Sequence, residues 1–165
     1  MNRTGVAILL CSILLGACAG RQLSPGATTI PKEVPYAGGI GTDAIRKECA
    51  WNTDLSTHIV RNSKRNTVVV AKDVNAATGK VLKMTVTNVH ALPGGRRSGP
   101  KWGNIEGQLQ EGGQVIGSFK ASRNTTSGGF TACGNLDSVG KALGEDIAEW
   151  LKAPRMDARL GDEKK

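Results

Sequence analysis

Aromatic residues are scarce in this 165-residue chain, which has three Trp, two Phe and one Tyr. Proteins that hold single-stranded nucleic acid stack successive bases on aromatic side chains, and so small a set cannot supply such a platform. The composition therefore argues against a single-strand-binding protein, and the predicted export described below argues against nucleic acid as a partner in general.

The sequence also lacks the usual signatures of catalysis and metal binding. Zinc sites draw on closely spaced ligand pairs, whereas the two histidines, His58 and His90, lie far apart and no Cys-x-x-Cys occurs. No glycine-rich phosphate loop ending in Gly-Lys-Ser/Thr and no Gly-x-Ser-x-Gly elbow is present. We therefore expect a protein that is not an enzyme and carries no cofactor or metal. An enzyme would instead have a cleft that holds a histidine or carboxylate with a shifted pKa, for example His58 or His90 beside Asp73.

No hydrophobic run is long enough to cross a bilayer, but a short one stands near the start of the chain. Arg3 precedes an almost continuous apolar stretch over residues 6–15, whereas a membrane-spanning helix needs about 20 such residues. Small residues and a cysteine follow. A basic start, a short apolar segment and small residues are typical of a signal peptide, which we predict over residues 1–17.

The end of this segment, Leu15-Gly16-Ala17-Cys18, resembles the bacterial lipoprotein signal. In that family the peptide is cut just before the cysteine, whose thiol then carries diacylglycerol. The resemblance implies a lipid anchor on Cys18. Ala19 stands where the inner-membrane retention signal of enteric lipoproteins would have Asp, so it favours the periplasmic face of the outer membrane over inner-membrane retention.

Of the four cysteines in the sequence, two remain for the folded domain. Cys11 leaves with the predicted signal peptide and Cys18 becomes the lipid anchor. An exported protein folds in an oxidising compartment, where a remaining pair of cysteines usually forms a disulfide. We therefore predict a Cys49–Cys133 bond.

The formal net charge is +8, from 22 Lys and Arg against 14 Asp and Glu. Arg3 is the only charged residue of the predicted signal peptide. A basic exported protein favours anionic lipid head groups, acidic polysaccharide or a negatively charged protein. Alternatively, the basic side chains simply solvate the surface.

Composition divides the exported part into three regions. Residues 18–41 are rich in proline and glycine without hydrophobic periodicity, which predicts a flexible tether; a strap pinned to the domain surface is the alternative. Residues 42–153 form a single domain. Residues 154–165 are charged and lack a core pattern, so we predict a disordered tail.

The domain has the pattern of an α+β fold. Helical periodicity over residues 42–62 is followed by strand patterns over residues 67–71 and 80–89, which we interpret as a first hairpin. A second hairpin turns at Gly112-Gly113, and a helix from about Val139 ends before Pro154. We predict a four-stranded antiparallel sheet with both helices on one face, and the disulfide joining the helix starts.

One loop stands out as a candidate binding site. Residues 94–102 combine glycines with Arg96, Arg97, Lys101 and Trp102. Basic side chains and exposed backbone N–H groups suit an anionic ligand, and Trp102 suits an apolar boundary. The alternative is a hairpin connector with the tryptophan tucked beneath the sheet.

About half of the chain resembles the small α+β domains of uncharacterised proteobacterial lipoproteins. The likeness lies in Ser98-Gly-Pro-Lys, in Gly107-x-Leu-x-x-Gly-Gly-x-x-Ile-Gly-Ser-Phe, and in Cys133 followed by Leu143-Gly-x-Asp-Ile-x-x-Trp-Leu. More remotely, the element order is similar to periplasmic lipoprotein domains that join envelope secretion and assembly complexes. These resemblances bring no catalytic residues and imply a structural or adaptor role with an envelope protein partner. The alternative function is binding of an anionic lipid head group or polysaccharide through residues 94–102.

Overall fold

The computed structural model describes residues 26–64, 67–93, 98–125 and 130–164. The predicted signal peptide, the predicted lipidation site Cys18, and Arg96 and Arg97 all lie outside the described residues. The helices in the described residues are α1 (Asp43–Glu48), α2 (Trp51–Asn62) and α3 (Ala132–Trp150), with a short 3-10 helix at Asp162–Lys164. The strands are β1 (Thr28–Pro31), β2 (Val68–Ala71), β3 (Lys80–His90), β4 (Lys101–Glu111), β5 (Gln114–Thr125) and β6 (Ala158–Gly161).

These strands form one mixed sheet in the described part of the chain. Its order is β2-β1-β3-β4-β5-β6, six strands in all. The long strands β3, β4 and β5 make an antiparallel meander. The short strands pair in parallel, β1 with both β2 and β3, and β6 with β5. The predicted α+β class is confirmed, but the sheet is larger and less regular than four antiparallel strands.

The hairpin between β4 and β5 is confirmed, and glycine explains its turn. Gly112 and Gly113 both have positive φ angles, 58° and 83°. A two-residue turn of this handedness matches the twist of the flanking strands and favours glycine because other residues are strained there. The register then places Leu109 opposite Gly117 and Gly107 opposite Phe119, where the Phe119 ring fills the space above Gly107.

The two longer helices lie on one face of the sheet, as predicted. Trp51 of α2 and Val139 of α3 both contact the face of β4 at Gly103, and Trp150 at the other end of α3 contacts Gly117. The largest contributions to the core come from side chains with no exposed surface, among them Leu55, Ile59, Leu82, Ile105, Leu136, Leu143 and Ile147. No helix of the described residues is long and apolar enough to cross a membrane.

Glycine lets the two helices approach closely. A Cβ atom on Gly144 of α3 would lie 2.5 Å from Cβ of His58 and 3.1 Å from the Ile59 backbone nitrogen, both on α2. Gly140, one turn earlier, is less crowded: a Cβ there would be 3.4 Å from the Trp51 carbonyl oxygen. The helix contact is therefore closest at Gly144.

The predicted flexible tether over residues 18–41 is wrong from Thr28 onwards. Residues Thr28–Pro31 form β1, which lies between β2 and β3 with all four residues buried. Ile30 and Val34 have no exposed surface, and Tyr36 bridges to Val86. A four-residue strand is too short to show periodicity, and parallel pairing on both sides supplies the hydrogen bonds that keep it in place.

The predicted first hairpin is also wrong. β2 does not pair with β3, because β1 lies between them and all three strands run in the same direction. Consecutive strands are neighbours in most folds. Without β1 as a strand, β2 and β3 are consecutive, and the sequence therefore predicts that they pair as a hairpin. The wrong prediction for residues 28–31 therefore leads to the wrong pairing of β2 with β3.

The predicted helix over residues 42–62 is two helices, and the break falls at a cysteine. Cys49 caps the end of α1 in an extended conformation (φ −105°, ψ 122°), and α2 begins at Trp51. The Cys49–Cys133 disulfide is confirmed, with Cα atoms 5.0 Å apart. It joins the end of α1 to the first turn of α3, rather than two helix starts.

The predicted disordered tail over residues 154–165 is wrong for the residues that the structure describes. β6 pairs with β5, and Ala158 and Leu160 are buried. Beyond β6, an Asp162 carboxylate oxygen accepts hydrogen bonds from the Asn124 backbone N–H at 3.0 Å and from its side-chain amide. Ala158 and Leu160 are the buried residues of this edge strand. Their burial depends on pairing with β5, which the charged composition of the segment does not show.

Candidate functional site

The long strands give the domain two opposite ends. At the entry end the chain enters β1 at Thr28, which pairs with Lys80 at the start of β3. At the loop end, β3 ends at His90, β4 begins at Lys101 and β5 ends at Thr125. β3 has 11 residues, and a strand rises about 3.3 Å per residue, so the ends are about 33 Å apart.

Trp102 lies at the loop end, on the sheet face that carries no helix. It pairs with His90 in the ladder, and the two rings stack with centroids 4.1 Å apart and planes 15° from parallel. Both side chains are half-buried. The tryptophan is therefore supported by its neighbour and does not lie beneath the sheet.

Lys101 does not join Trp102 in a binding cluster. Its side chain is 1% exposed and lies on the helix-covered side, because successive strand residues point to opposite faces. Its Nζ donates to Ser98 Oγ at 2.5 Å and to the Gly99 carbonyl at 2.8 Å. Lys101 thus ties the loop to the start of β4, and its prediction as an exposed binding cation is wrong.

The loop end also exposes large apolar side chains. Phe130, between β5 and α3, is 93% exposed, and Leu92, just after β3, is 51% exposed. Neither residue is predicted as a site residue from the sequence. For Phe130 the available signal was its position in an otherwise polar segment. It belongs to no periodic apolar pattern, so no predicted element needs it for the core.

The histidines have structural partners rather than Asp73. His58 Nε2 lies 3.2 Å from Asp137 Oδ1, a contact between α2 and α3. Asp73 Oδ1 instead accepts from the Asn75 backbone N–H at 2.9 Å. Among the described residues, no contact joins Asp73 to His58 or His90. Among the residues that the structure describes, no group of three His, Cys, Asp or Glu side chains could hold a metal ion.

The open face of the sheet carries a shallow polar groove of about 700 Å³. Its charges are mostly paired: Lys120 Nζ lies 3.1 Å from Glu106, and Arg159 lies 3.5 Å from Glu163. Ser118 Oγ donates to Asp157 Oδ1 at 3.1 Å and accepts the Asp157 backbone N–H at 2.8 Å. Internal pairing of this kind leaves the groove close to electrically neutral.

Two further polar contacts stabilise the fold rather than form a site. Arg123 donates two hydrogen bonds to Asp146, at 2.7 and 2.8 Å, joining β5 to α3, and this carboxylate raises the pKa of the guanidinium. Trp51 Nε1 donates to the Tyr36 hydroxyl at 2.8 Å. Burial is the main cause that raises the pKa of Tyr36. Both contacts join parts of the fold that are distant in sequence.

No protein-family model and no curated protein sequence matches this chain. Among solved structures, the chain is similar to an uncharacterised protein with a TM-score of 0.51 and 14% identity, over 76% of this chain and 92% of the other. A PelC dodecamer from Paraburkholderia phytofirmans is 15% identical over 77% of this chain and 90% of its own, with a TM-score of 0.47. A minor lipoprotein from Acinetobacter baumannii is 14% identical over 79% and 90%, with a TM-score of 0.31.

The likeness to the uncharacterised protein shows a shared α+β fold. At 14% identity it carries no information on ligand, partner or activity. The other two similarities are weaker and add no argument. The candidate site therefore has to be judged from the residues of this chain, among which Phe130 at the loop end is the most exposed large apolar side chain of the described residues.

Proposed function

We propose that this chain is a lipoprotein of the bacterial envelope, anchored through Cys18 at the periplasmic face of the outer membrane. Its role is non-catalytic: the domain is an adaptor that holds an envelope protein partner at the loop end. The sequence Leu15-Gly16-Ala17-Cys18 supports the anchor and Ala19 supports the outer membrane. The exposure of Phe130 is the observation that carries the adaptor role.

The position of β1 relates the anchor to the rest of the domain. About ten residues separate Cys18 from Thr28, and even a fully extended chain of that length spans no more than about 35 Å. Since Thr28 lies at the entry end, the anchor keeps that end within this distance of the bilayer. The loop end is the part of the domain best placed to meet a partner.

The exposed apolar residues fit a protein partner better than a small ligand. Phe130 has 93% of its surface exposed, and burying an aromatic side chain at a protein interface contributes more energy than most other residues do. Leu92 lies at the same end. The exposed ring of Phe130 is available to a large partner.

A crosslinking phenylalanine analogue at position 130 tests this proposal. Benzoylphenylalanine preserves the aromatic ring, and irradiation of intact envelopes is expected to give one discrete adduct with a second envelope protein. The matched control carries the same analogue at Ile116, which is 38% exposed at the entry-end hairpin. We expect no such adduct from position 116.

Two results would contradict the adaptor role. The first is the absence of any adduct from position 130 when the protein is present in the envelope at its normal level. The second is an adduct that contains two copies of this chain, since the loop end would then be a self-association surface. Mass spectrometry of the crosslinked band distinguishes both from the expected result.

The alternative function, binding of an anionic component through residues 94–102, has less support. Lys101 is buried and bonded to Ser98 and Gly99, and Trp102 lies on the opposite face of β4. The anionic ligand would depend on Arg96 and Arg97. Among the described residues, three lysines line one cavity at the entry end of the domain.

A further inference from the structure

Three lysines surround a cavity of about 320 Å³ at the entry end. Lys64 follows α2, Lys80 begins β3, and Lys152 follows α3, so three separate elements bring them together. Beneath them the cavity has apolar lining residues, which are Val68, Leu109, Ala148, Leu151 and Pro154. We call the three lysines the lysine rim.

The lysine rim keeps a net positive charge. Lys152 forms an ion pair with Glu149. Lys64 and Lys80 form no ion pair within the described residues, although Glu111 lies opposite Lys80 in the β3–β4 ladder. A small, partly apolar cavity is thus edged by three ammonium groups, two of which form no ion pair within the described residues. This arrangement matches the boundary of a phospholipid bilayer, where phosphate lies above glycerol and acyl carbons.

The chain itself brings this surface to a membrane. Gly26 is one of the residues that line the cavity. It follows the predicted lipidated Cys18 by only eight residues, a length that spans no more than about 28 Å when fully extended. A lipid on Cys18 therefore holds the lysine rim within reach of head groups at all times, so that even weak contacts are made repeatedly.

We propose that the lysine rim contacts the phosphates of anionic phospholipids in the anchoring bilayer. The domain then stands with its entry end on the membrane and its loop end directed away from it. The inference rests on the proposed anchor at Cys18. Acyl chains supply the affinity for the membrane, whereas the lysines set the orientation of the domain. Each lysine near an anionic surface favours the membrane-facing orientation about fivefold.

Lysine footprinting of the lipidated full-length mature protein tests this orientation. The protein is reconstituted into vesicles of phosphatidylcholine alone or of phosphatidylcholine with phosphatidylglycerol, and amine labelling is followed residue by residue. Labelling of Lys64, Lys80 and Lys152 is expected to slow about fivefold when the anionic lipid is present. Lys83, on the open sheet face, and Lys141, on the outer side of α3, should label equally in both.

Charge removal supplies the second measurement. In the Lys64→Gln/Lys80→Gln protein, the slowing of Lys152 labelling by anionic lipid should disappear. In the matched Lys83→Gln/Lys141→Gln protein it should persist. All four side chains are on the surface, so both variants are expected to fold, and circular dichroism checks this.

The outcomes separate this inference from the proposed function. Equal slowing of all lysines, or none, in a protein that is bound to both kinds of vesicle would overturn the orientation and leave the anchor intact. A mature protein that fails to bind either vesicle would overturn the anchor, and the orientation with it. Slowing that needs free phosphate in place of anionic lipid would identify an ion site and would also overturn the membrane contact.

Discussion

Replacing Cys49 and Cys133 together with alanine is expected to lower the free energy of unfolding by about 4–5 kcal/mol. The two residues are 84 apart in sequence, and a crosslink over so long a loop removes much of the conformational freedom of the unfolded chain. This free energy comes from the entropy of closing the loop in the unfolded chain. It is an upper estimate, because unfolded chains are already compact. A loss of this size is a large part of the stability of a typical domain.

The location of the bond adds a local effect. α1 has six residues, too few to be stable on its own, and the disulfide joins its end to α3. Urea unfolding of the mature protein should show the loss, and wild-type protein under reducing conditions should match the double variant. If the variant unfolds at the same urea concentration as oxidised wild type, the bond does not stabilise the fold.

The second prediction compares two glycines on α3. Gly144→Ala is expected to destabilise the protein by about 1–2 kcal/mol, because overpacking costs about 1–3 kcal/mol and outweighs the better helix propensity of alanine. The new methyl group would lie 2.5 Å from Cβ of His58 and 3.1 Å from its carbonyl carbon. The neighbour includes backbone, which cannot rotate away.

Gly140→Ala is the matched control for this effect. The same substitution on the same helix meets the Trp51 carbonyl oxygen at 3.4 Å, which is ordinary contact. Helix propensity then dominates, and stability should stay constant or rise by up to about 1 kcal/mol. Thermal unfolding of both variants gives the comparison, and equal shifts in the same direction would contradict the close helix packing.

The parts of the fold that the sequence predicted share a strong local pattern. The β4–β5 hairpin has two glycines between alternating strands, and α3 has apolar residues at helical spacing over 19 residues. The disulfide followed from the number of cysteines and the expected compartment. Each of these features depends mainly on residues close in sequence or on chemistry that is independent of the fold.

The missed elements depend on distant partners. β1 and β6 have four residues each, and both are stabilised by parallel pairing with strands far along the chain. β1 occupies a proline- and glycine-rich segment, and β6 a charged one, so composition indicated a tether and a tail. Short parallel strands of this kind gain their stability from tertiary contacts rather than from propensity.

The candidate site shows the same division. The sequence predicts a single loop over residues 94–102, whereas β4 begins at Lys101. Strand alternation then sends Lys101 to the covered face and Trp102 to the open one. For Phe130 the only sequence signal is a phenylalanine outside any periodic pattern. The lysine rim arises from the arrangement of three elements, which the sequence alone does not show.

The mass of the N-terminal peptide, measured on protein extracted from bacterial envelopes, tests the central claim most directly. The adaptor role and the orientation both require that the chain be held at a membrane through Cys18. We expect a mature chain that begins at Cys18 and carries the added mass of diacylglycerol on that residue. An N-terminus elsewhere, or an unmodified Cys18 in the membrane-extracted protein, would contradict the account.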